Sequence, residues 1–324
     1  MTVPRIPAER AVHTEYGAHL EPELRVAAGE SFVVETKDFF HDLVEDEDAI
    51  GSVIHHPRLA ASQCVRSNPV AGPVYVDGVR AGDTLCVEIE SIDVRDHGWT
   101  ITYPGSGIVD GLVGWEEVHG ATATRLEHEP GPSGTLRDGE VVMRLKREHR
   151  WPLAPFIGTI VTAPERGSEN TVLGQGPWGG NLDCREIAPG ATVYLNAAHD
   201  GGLLFLGDIH ASQGDGELTG TADETAGHVR MRCTALPERA VPGVCRIETA
   251  TDLIQLDSAR NAGTLERAID SCYLHLMGWL TDDYGMSRRE AYLHMTANSL
   301  VRASIFQACD GLYTCGVSFP KSCL

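Results

Sequence analysis

Lysine is almost missing from this chain of 324 residues, with Lys37, Lys146 and Lys321 the only ones. Catalytic centres that pair a Ser or Cys nucleophile with a lysine need that lysine inside the polar, glycine-rich site. Lys37 and Lys146 stand outside such runs and Lys321 is nearly terminal, which argues against both centres. No GxSxG elbow occurs, so a Ser-His-Asp hydrolase of that type has no support either. The first thirty residues, beginning MTVPRIPAER, lack the apolar run of a secretory signal. No stretch of about 18 apolar residues follows, and the reading is a soluble cytoplasmic protein. Positive charge is also short. With 26 basic against 46 acidic residues the formal charge is -20, which repels a phosphate backbone and an anionic membrane alike. Nine cysteines, an odd number with no CxxC pair, fit buried thiols better than a disulfide framework or a zinc knuckle.

What is present supports a large core, since 42% of the residues are hydrophobic. Gly, Pro and β-branched residues dominate from about 23 to 245, and Leu, Ala, Arg and Glu from about 253 onward. Alternating runs at Ser31–Glu35, 84–90, Glu140–Arg144 and Thr192–Asn196 have the period of half-buried strands. Turn pairs such as Asp77-Gly78, Pro130-Gly131 and Asp200-Gly201 separate them. The fold class is therefore mainly β, a β-sandwich or open barrel, with C-terminal α-helices. Ala262, Leu265, Ala268, Ile269, Cys272 and Leu276 recur at helical spacing, and Ser287 with Glu290 forms a capping box. They predict helices over 258–283 and 287–299. Residues 1–250 are read as a β-rich core and 251–324 as a helical region packed on it, the two forming one integrated domain.

The densest polar region, 179–225, holds three clusters. In Gly179-Gly180-Asn181-Leu182-Asp183 the glycines let backbone approach a ligand, and Asn181 and Asp183 share one side of an extended chain. Gly207-Asp208-Ile209-His210 follows the apolar run 203–206, so a buried strand emerges with a carboxylate and an imidazole two residues apart. That pair suits a borderline divalent cation such as zinc. Gln213-Gly214-Asp215-Gly216-Glu217 adds two acids and an amide, seven residues from His210 to Glu217. Acids, an imidazole and amides among glycines are what hydrolysis by a metal-activated water requires.

In their order and spacing these segments, with 190–194 between them, resemble the signature of the acetamidase/formamidase family. Further matches are Glu35-Thr36-Lys37-Asp38, Asn68-Pro69 with Gly72-Pro73 and Asp77-Gly78, Gly82-Asp83, and 155–158 before Ala163-Pro164. Ile247-Glu248-Thr249 and 289–292 extend the likeness to the last quarter. The resemblance implies hydrolysis of small linear amides to an acid and ammonia, metal-binding positions in the matched segments, and a homo-oligomer, dimer or larger. Its matched positions are Asp38, Asn68, Asn181, Asp183, Asp208, His210, Gln213, Asp215, Glu217 and Glu248. Within that set Asp183, His210 and Asp38 are assigned as metal ligands, with Asp208 the other candidate for the third place. Glu217, Asp208 and Asn181 are assigned to catalysis, with Glu217 as general base. Asn68, Gln213 and Gly180 are assigned to the substrate. Zinc is the expected cation and calcium the alternative.

Departures from the family pattern are the acidic segment 41–67, which carries His55 and His56, and the stretch 98–138. Trp99, Trp115 and Trp151 are candidates for an apolar wall. The competing reading is a non-catalytic β-rich protein that binds a metal or small ligand, because fold resemblance alone does not carry function. Nitrilase-like and amidase-signature enzymes are the mechanistic alternatives that the scarcity of lysine opposes.

Overall fold

A computed structural model of the chain describes residues 3–47, 68–102, 107, 115, 118, 120–309 and 311–324. His55 and His56 lie outside the described residues. Alternation of apolar and charged residues drives the sheets. In Gly227–Leu236, Val229, Met231 and Cys233 are buried while His228, Arg230, Arg232 and Thr234 face solvent.

Strands are numbered in chain order. Among the described residues one sheet runs β1 (Arg5–Ile6), β4 (Ser31–Glu35), β18 (Gly227–Leu236), β6 (Thr84–Val94), β15 (Thr192–Asn196), β19 (Cys245–Glu248), β20 (Asp252–Ser258), β22 (Leu312–Pro320), β21 (Arg302–Cys309). A second runs β10 (Glu148–Pro152), β9 (Glu140–Arg144), β8 (Thr122–Glu129), β7 (His97–Thr102), β17 (Glu224–Thr225), β16 (Leu204–His210), β11 (Phe156–Thr162), β14 (Gly179–Asn181), β13 (Gln175–Gly176). β5 (Val70–Asp77) pairs with β16 and carries β3 (Leu24–Ala27), while β2 (Glu15–Gly17) pairs with β12 (Ser168–Asn170). The largest core takes Phe32, Leu85, Val193 and Met231 from the first sheet and Ile157, Ile160, Leu206 and Ile209 from the second. The two sheets thus close on each other as a sandwich.

Three helices follow: α1 (Ala259–Ala262), α2 (Leu265–Tyr284) and α3 (Arg288–Ala297). The single helix expected over 258–283 is broken, because Gly263 takes φ +96° and Thr264 starts a new cap by accepting from the Arg267 N–H. The second helix keeps the expected Ser287–Glu290 capping box and stops at Ala297. A larger difference is that the last quarter also supplies β20, β21 and β22. Leu253, Ile254, Leu256, Val317 and Phe319 are all buried, so β20 and β22 lack the alternation that a period-of-two search finds. Ala268, Cys272, Leu276, Trp279 and Leu280 of α2 pack on Leu253, Val317 and Phe319. The described cysteines carry thiols rather than disulfides, and all but Cys323 are buried. No described helix is long and apolar enough to cross a membrane.

Phe32 is fully buried between the sheets, whereas Leu274 on α2 is 61% exposed. Urea denaturation should therefore show Phe32→Ala losing about 3–5 kcal/mol and Leu274→Ala shifting stability by less than about 0.5 kcal/mol.

Candidate active site

β16 and β11 lie antiparallel with Thr159 opposite Gly207 and Phe156 opposite His210, which brings Asp208 and His210 out along the end of a wholly buried strand. β14 flanks β11 on its other side with Asn181 opposite Thr159. The chain then turns so that the Leu182 and Asp183 N–H groups both donate to the Gly158 carbonyl, at 2.9 and 3.2 Å. β17 places Glu224 directly opposite His210. The turn carrying Glu217 is tied to β21, the Gly216 N–H donating to the Phe306 carbonyl at 3.0 Å and the Ala308 N–H to the Gly216 carbonyl at 2.9 Å. Asp183, Asp208 and Glu217 all adopt left-handed backbone, at φ +46°, +60° and +45°. Such strain persists where surrounding structure imposes it, and it gathers at functional sites.

Ligand-capable atoms of Asp183, Asp208 and His210 lie within 4.8 Å of one another, as do those of His210, Glu217 and Glu224. His210 Nε2 is 3.4 Å from Asp208 Oδ1 and 3.2 Å from Glu224 Oε2. Asp183 Oδ1, Asp208 Oδ1 and Glu224 Oε2 are buried and accept no hydrogen bond among the described residues. Buried carboxylate oxygens normally have partners, so this set is short of positive charge. The second oxygens are held. Asn68 Nδ2 donates to Asp208 Oδ2 at 2.7 Å, the Ala222 N–H donates to Glu224 Oε1 at 2.9 Å, and Gln307 Nε2 donates to Asp183 Oδ2.

The tautomer of His210 follows from its partner. Gln213 Nε2 donates to the Asp183 and Phe306 carbonyls, both at 3.0 Å, so its Oε1 is the atom 2.9 Å from His210 Nδ1. Nδ1 therefore carries the proton. In the neutral ring Nε2 is then left as the coordinating atom, aimed at the carboxylates. Without a cation, electrostatics favour a proton in that place. Burial, then Glu217, pushes the Asp183 carboxyl well up, and burial also raises Glu217 and lifts Glu224 to about 8. For His210 burial works downward, yet Glu224 and Asp208 outweigh it and hold the ring well above its usual value. Carboxylates and an imidazole grouped in this way could hold one divalent cation.

Asn68, Asn181, Asp183, Asp208, Glu217 and Glu224 line a cavity of about 20 Å³, walled by Phe39, Val172 and Leu312. Three of the residues assigned from the sequence are engaged otherwise. Asp38 is not brought to the cluster: it accepts from the Asp42 N–H at 2.7 Å and lies 3.9 Å from Arg95, while its neighbour Phe39 lines the cavity. Burial, then the Asp42 charge, raises Asp38 to about 6. Gln213 spends both ends of its amide on His210 and two carbonyls. Gly180 is needed for packing, because at φ +145° an added Cβ would sit 2.2 Å from the Gly174 carbonyl oxygen. Asp215 turns outward to Arg185, 3.1 Å away, and Glu248 pairs with Lys321 at 2.7 Å.

Trp99 is buried beside Phe39, Val172 and Leu312, Trp115 is 68% exposed, and Trp151 donates to Ser212 at 2.9 Å. The sequence reading passed over Glu224, Thr159 and Gln307. Glu224 stands at the end of the same polar segment, and its signal was that proximity alone. Thr159 and Gln307 arrive from β11 and β21 with no local signal.

The sequence profile of the Acetamidase/Formamidase family matches residues 3–167 and 164–305. The chain is similar to an acetamidase from Bacillus halodurans of known crystal structure, at 30% identity over 98% of this chain and 97% of that one, with a TM-score of 0.82. It is also similar to an acetamidase from Yersinia enterocolitica, at 27% identity over 99% and 93% of the two chains, with a TM-score of 0.83. A formamidase of Methylophilus methylotrophus is 23% identical over 263 residues, 68% of this chain and 63% of that protein. The chain spans about three fifths of the length of the curated relatives it matches.

Gly158 forms the floor of the acid cluster, where an added Cβ would lie 2.7 Å from Asp208 Oδ2 and 2.8 Å from Asp183 Oδ1. Thermal denaturation of Gly158→Ala should show a loss of about 1–3 kcal/mol from overpacking. Zinc should raise the melting temperature of the wild type and leave that of this variant unmoved, although every ligand-capable side chain is still present.

Proposed function

The chain belongs to the acetamidase/formamidase family, and we propose that it hydrolyses a small linear amide of the formamide or acetamide kind, consuming one water and releasing a carboxylic acid and ammonia. The observation that carries this reading is the buried cluster of Asp183, Asp208, His210, Glu217 and Glu224, whose acids line one cavity and leave carboxylate oxygens unsatisfied. The described strands of the last quarter continue the first sheet, which supports reading the whole chain as one integrated domain.

Asp183, Asp208 and His210 would hold a divalent cation, with Glu224 completing the set in the place first given to Asp38. Bound there, the cation supplies Lewis acidity that polarises the amide oxygen and lowers the pKa of water toward about 7. Glu217 takes the proton of the attacking water and returns it to the departing nitrogen. It lines the cavity, and Cys309 Sγ, 3.5 Å from Oε2, orients its carboxylate. Asn68 Oδ1 is buried with no hydrogen-bond partner among the described residues, which suits it to accept from the substrate's N–H. Asn181 Oδ1 is taken by Thr159 and Asn68, at 2.7 and 3.2 Å, so its Nδ2 is left to donate to the substrate's oxygen. Phe39, Val172 and Leu312 exclude water and leave room only for a short acyl group.

Ammonia release from formamide and acetamide tests the reading directly. Activity should vanish with a strong chelator and return with zinc, and His210→Ala should lose both bound metal and rate. Glu217→Gln should keep its metal while kcat falls about 10²–10⁴-fold. A rate indifferent to the chelator would remove the metal, and no ammonia across a broad amide panel would remove the amidase reading.

A further inference from the structure

Arg246 on β19 is buried, with 8% of its surface exposed, and forms no ion pair among the described residues. Its Nε donates to Gln255 Oε1 at 3.0 Å and its Nη2 to the His275 carbonyl at 3.3 Å. Gln255 is locked in that orientation, since its Nε2 donates to the Pro242, Cys245 and Leu256 carbonyls at 2.8, 3.1 and 3.1 Å. The guanidinium lies 4.7 Å from the ring centre of Trp279 on α2. It borders a separate cavity of about 130 Å³, lined also by Tyr194, Arg239, Glu248, Trp279, Asp283 and Tyr284.

The carboxylates that line this cavity are each engaged elsewhere. Arg239 is paired with Asp283, and Glu248 is held by Lys321 at 2.7 Å and by the Tyr194 hydroxyl at 2.8 Å. Arg246 is the lining cation that no carboxylate among the described residues touches: Asp283 and Asp282 act on it only from beyond ion-pair distance, and the two engaged nitrogens of its planar fork meet only neutral oxygens. A buried charge without a counter-charge is costly, and a guanidinium matches a carboxylate through two parallel hydrogen bonds. Trp279 stands at 6.1 Å from Tyr194 and 6.5 Å from Tyr284, ring centre to ring centre, giving an apolar wall for the remainder of such a ligand. We propose that this cavity, on the helix-covered side of the first sheet, is a second binding site, which takes a small organic carboxylate on Arg246 with its apolar body against Trp279 and Tyr284. It assigns a place to the Ile247-Glu248-Thr249 segment, which the hydrolytic site does not use, and it holds whether or not the chain is an amidase.

Fluorobenzoate is a suitable probe because it is too bulky for the hydrolytic cavity of about 20 Å³. Fluorine NMR on the full chain should show saturable binding with a Kd on the order of 1 mM or tighter, and none for the neutral fluorobenzyl alcohol. Arg246→Lys keeps the charge and loses the fork, so affinity should fall about ten-fold at an unchanged melting temperature. Absence of saturable binding, equal binding of the alcohol, or wild-type affinity in a folded Arg246→Lys each overturn the site. Should that variant melt early, Tyr284→Ala on the exposed rim replaces it: weakened fluorobenzoate binding supports the site and unchanged binding overturns it.

Discussion

Four carboxyl groups around one imidazole, shut away from water, set the terms for the rest of this molecule. At an effective dielectric of about 20, two like charges about 4 Å apart repel by about 4 kcal/mol. Several such pairs would together match the roughly 5–15 kcal/mol by which a domain of ordinary stability is folded. Asp183, Asp208, Glu217 and Glu224 therefore cannot all stay ionised side by side unless something positive sits among them. Protons can do it, as the upward shifts of Asp183, Glu217 and Glu224 indicate. A divalent cation does it better, because one ion meets several carboxylate oxygens at once.

Holding such a cluster requires a scaffold that does not yield. The acids sit on elements of the second sheet and on a turn bound to β21 of the first, so both layers of the sandwich fix their spacing. Left-handed backbone at Asp183, Asp208 and Glu217 adds strain of about 1–3 kcal/mol at each position. Fully buried β16 and β11, with Leu204, Phe205, Leu206, Ile157 and Ile160 packed on both faces, supply the burial that offsets it. A surrounding ring of neutral amides and one hydroxyl, from Asn68, Thr159, Asn181, Gln213 and Gln307, aims each charged group without adding charge of its own. Gln213 shows why that ring matters: reversing its amide would put an N–H against His210 Nδ1 and displace the imidazole proton to Nε2, removing the atom that faces the acids.

What could be read from the sequence divides along the same physical line. Asp183, Asp208, His210 and Glu217 lie close together in the chain among glycines, and a local pattern of polar residues after an apolar run marks a strand opening onto a site. Asp38 carried equal weight by family resemblance, but its neighbours Asp42 and Arg95 claim its carboxylate, and no pattern of spacing records that competition. Glu224 takes part only because β17 pairs with β16 in one register, with His210 facing Glu224. Strand pairing over such distances is a property of the folded sheet. For the fold, alternation found the half-buried strands at Ser31–Glu35 and Thr192–Asn196, whereas β20 and β22, buried on both faces, carry no alternation and passed for helix.

The acid cavity and the cavity at Arg246 differ in how their charges are held. Around His210 the structure gathers more negative charge than it can neutralise, with neutral amides filling the remaining directions. Around Arg246 it directs two neutral oxygens at the guanidinium and keeps the lining carboxylates on other partners, so that the fork faces an aromatic wall. A side chain that served only to pack would have been replaced at no loss by an apolar residue of similar volume, since burying an ion without its counter-ion destabilises the fold. Buried charge that its neighbours leave unmatched is therefore a directional statement about what it would take from outside: a cation among the acids between the sheets and, on the proposal made for Arg246, a carboxylate on its fork.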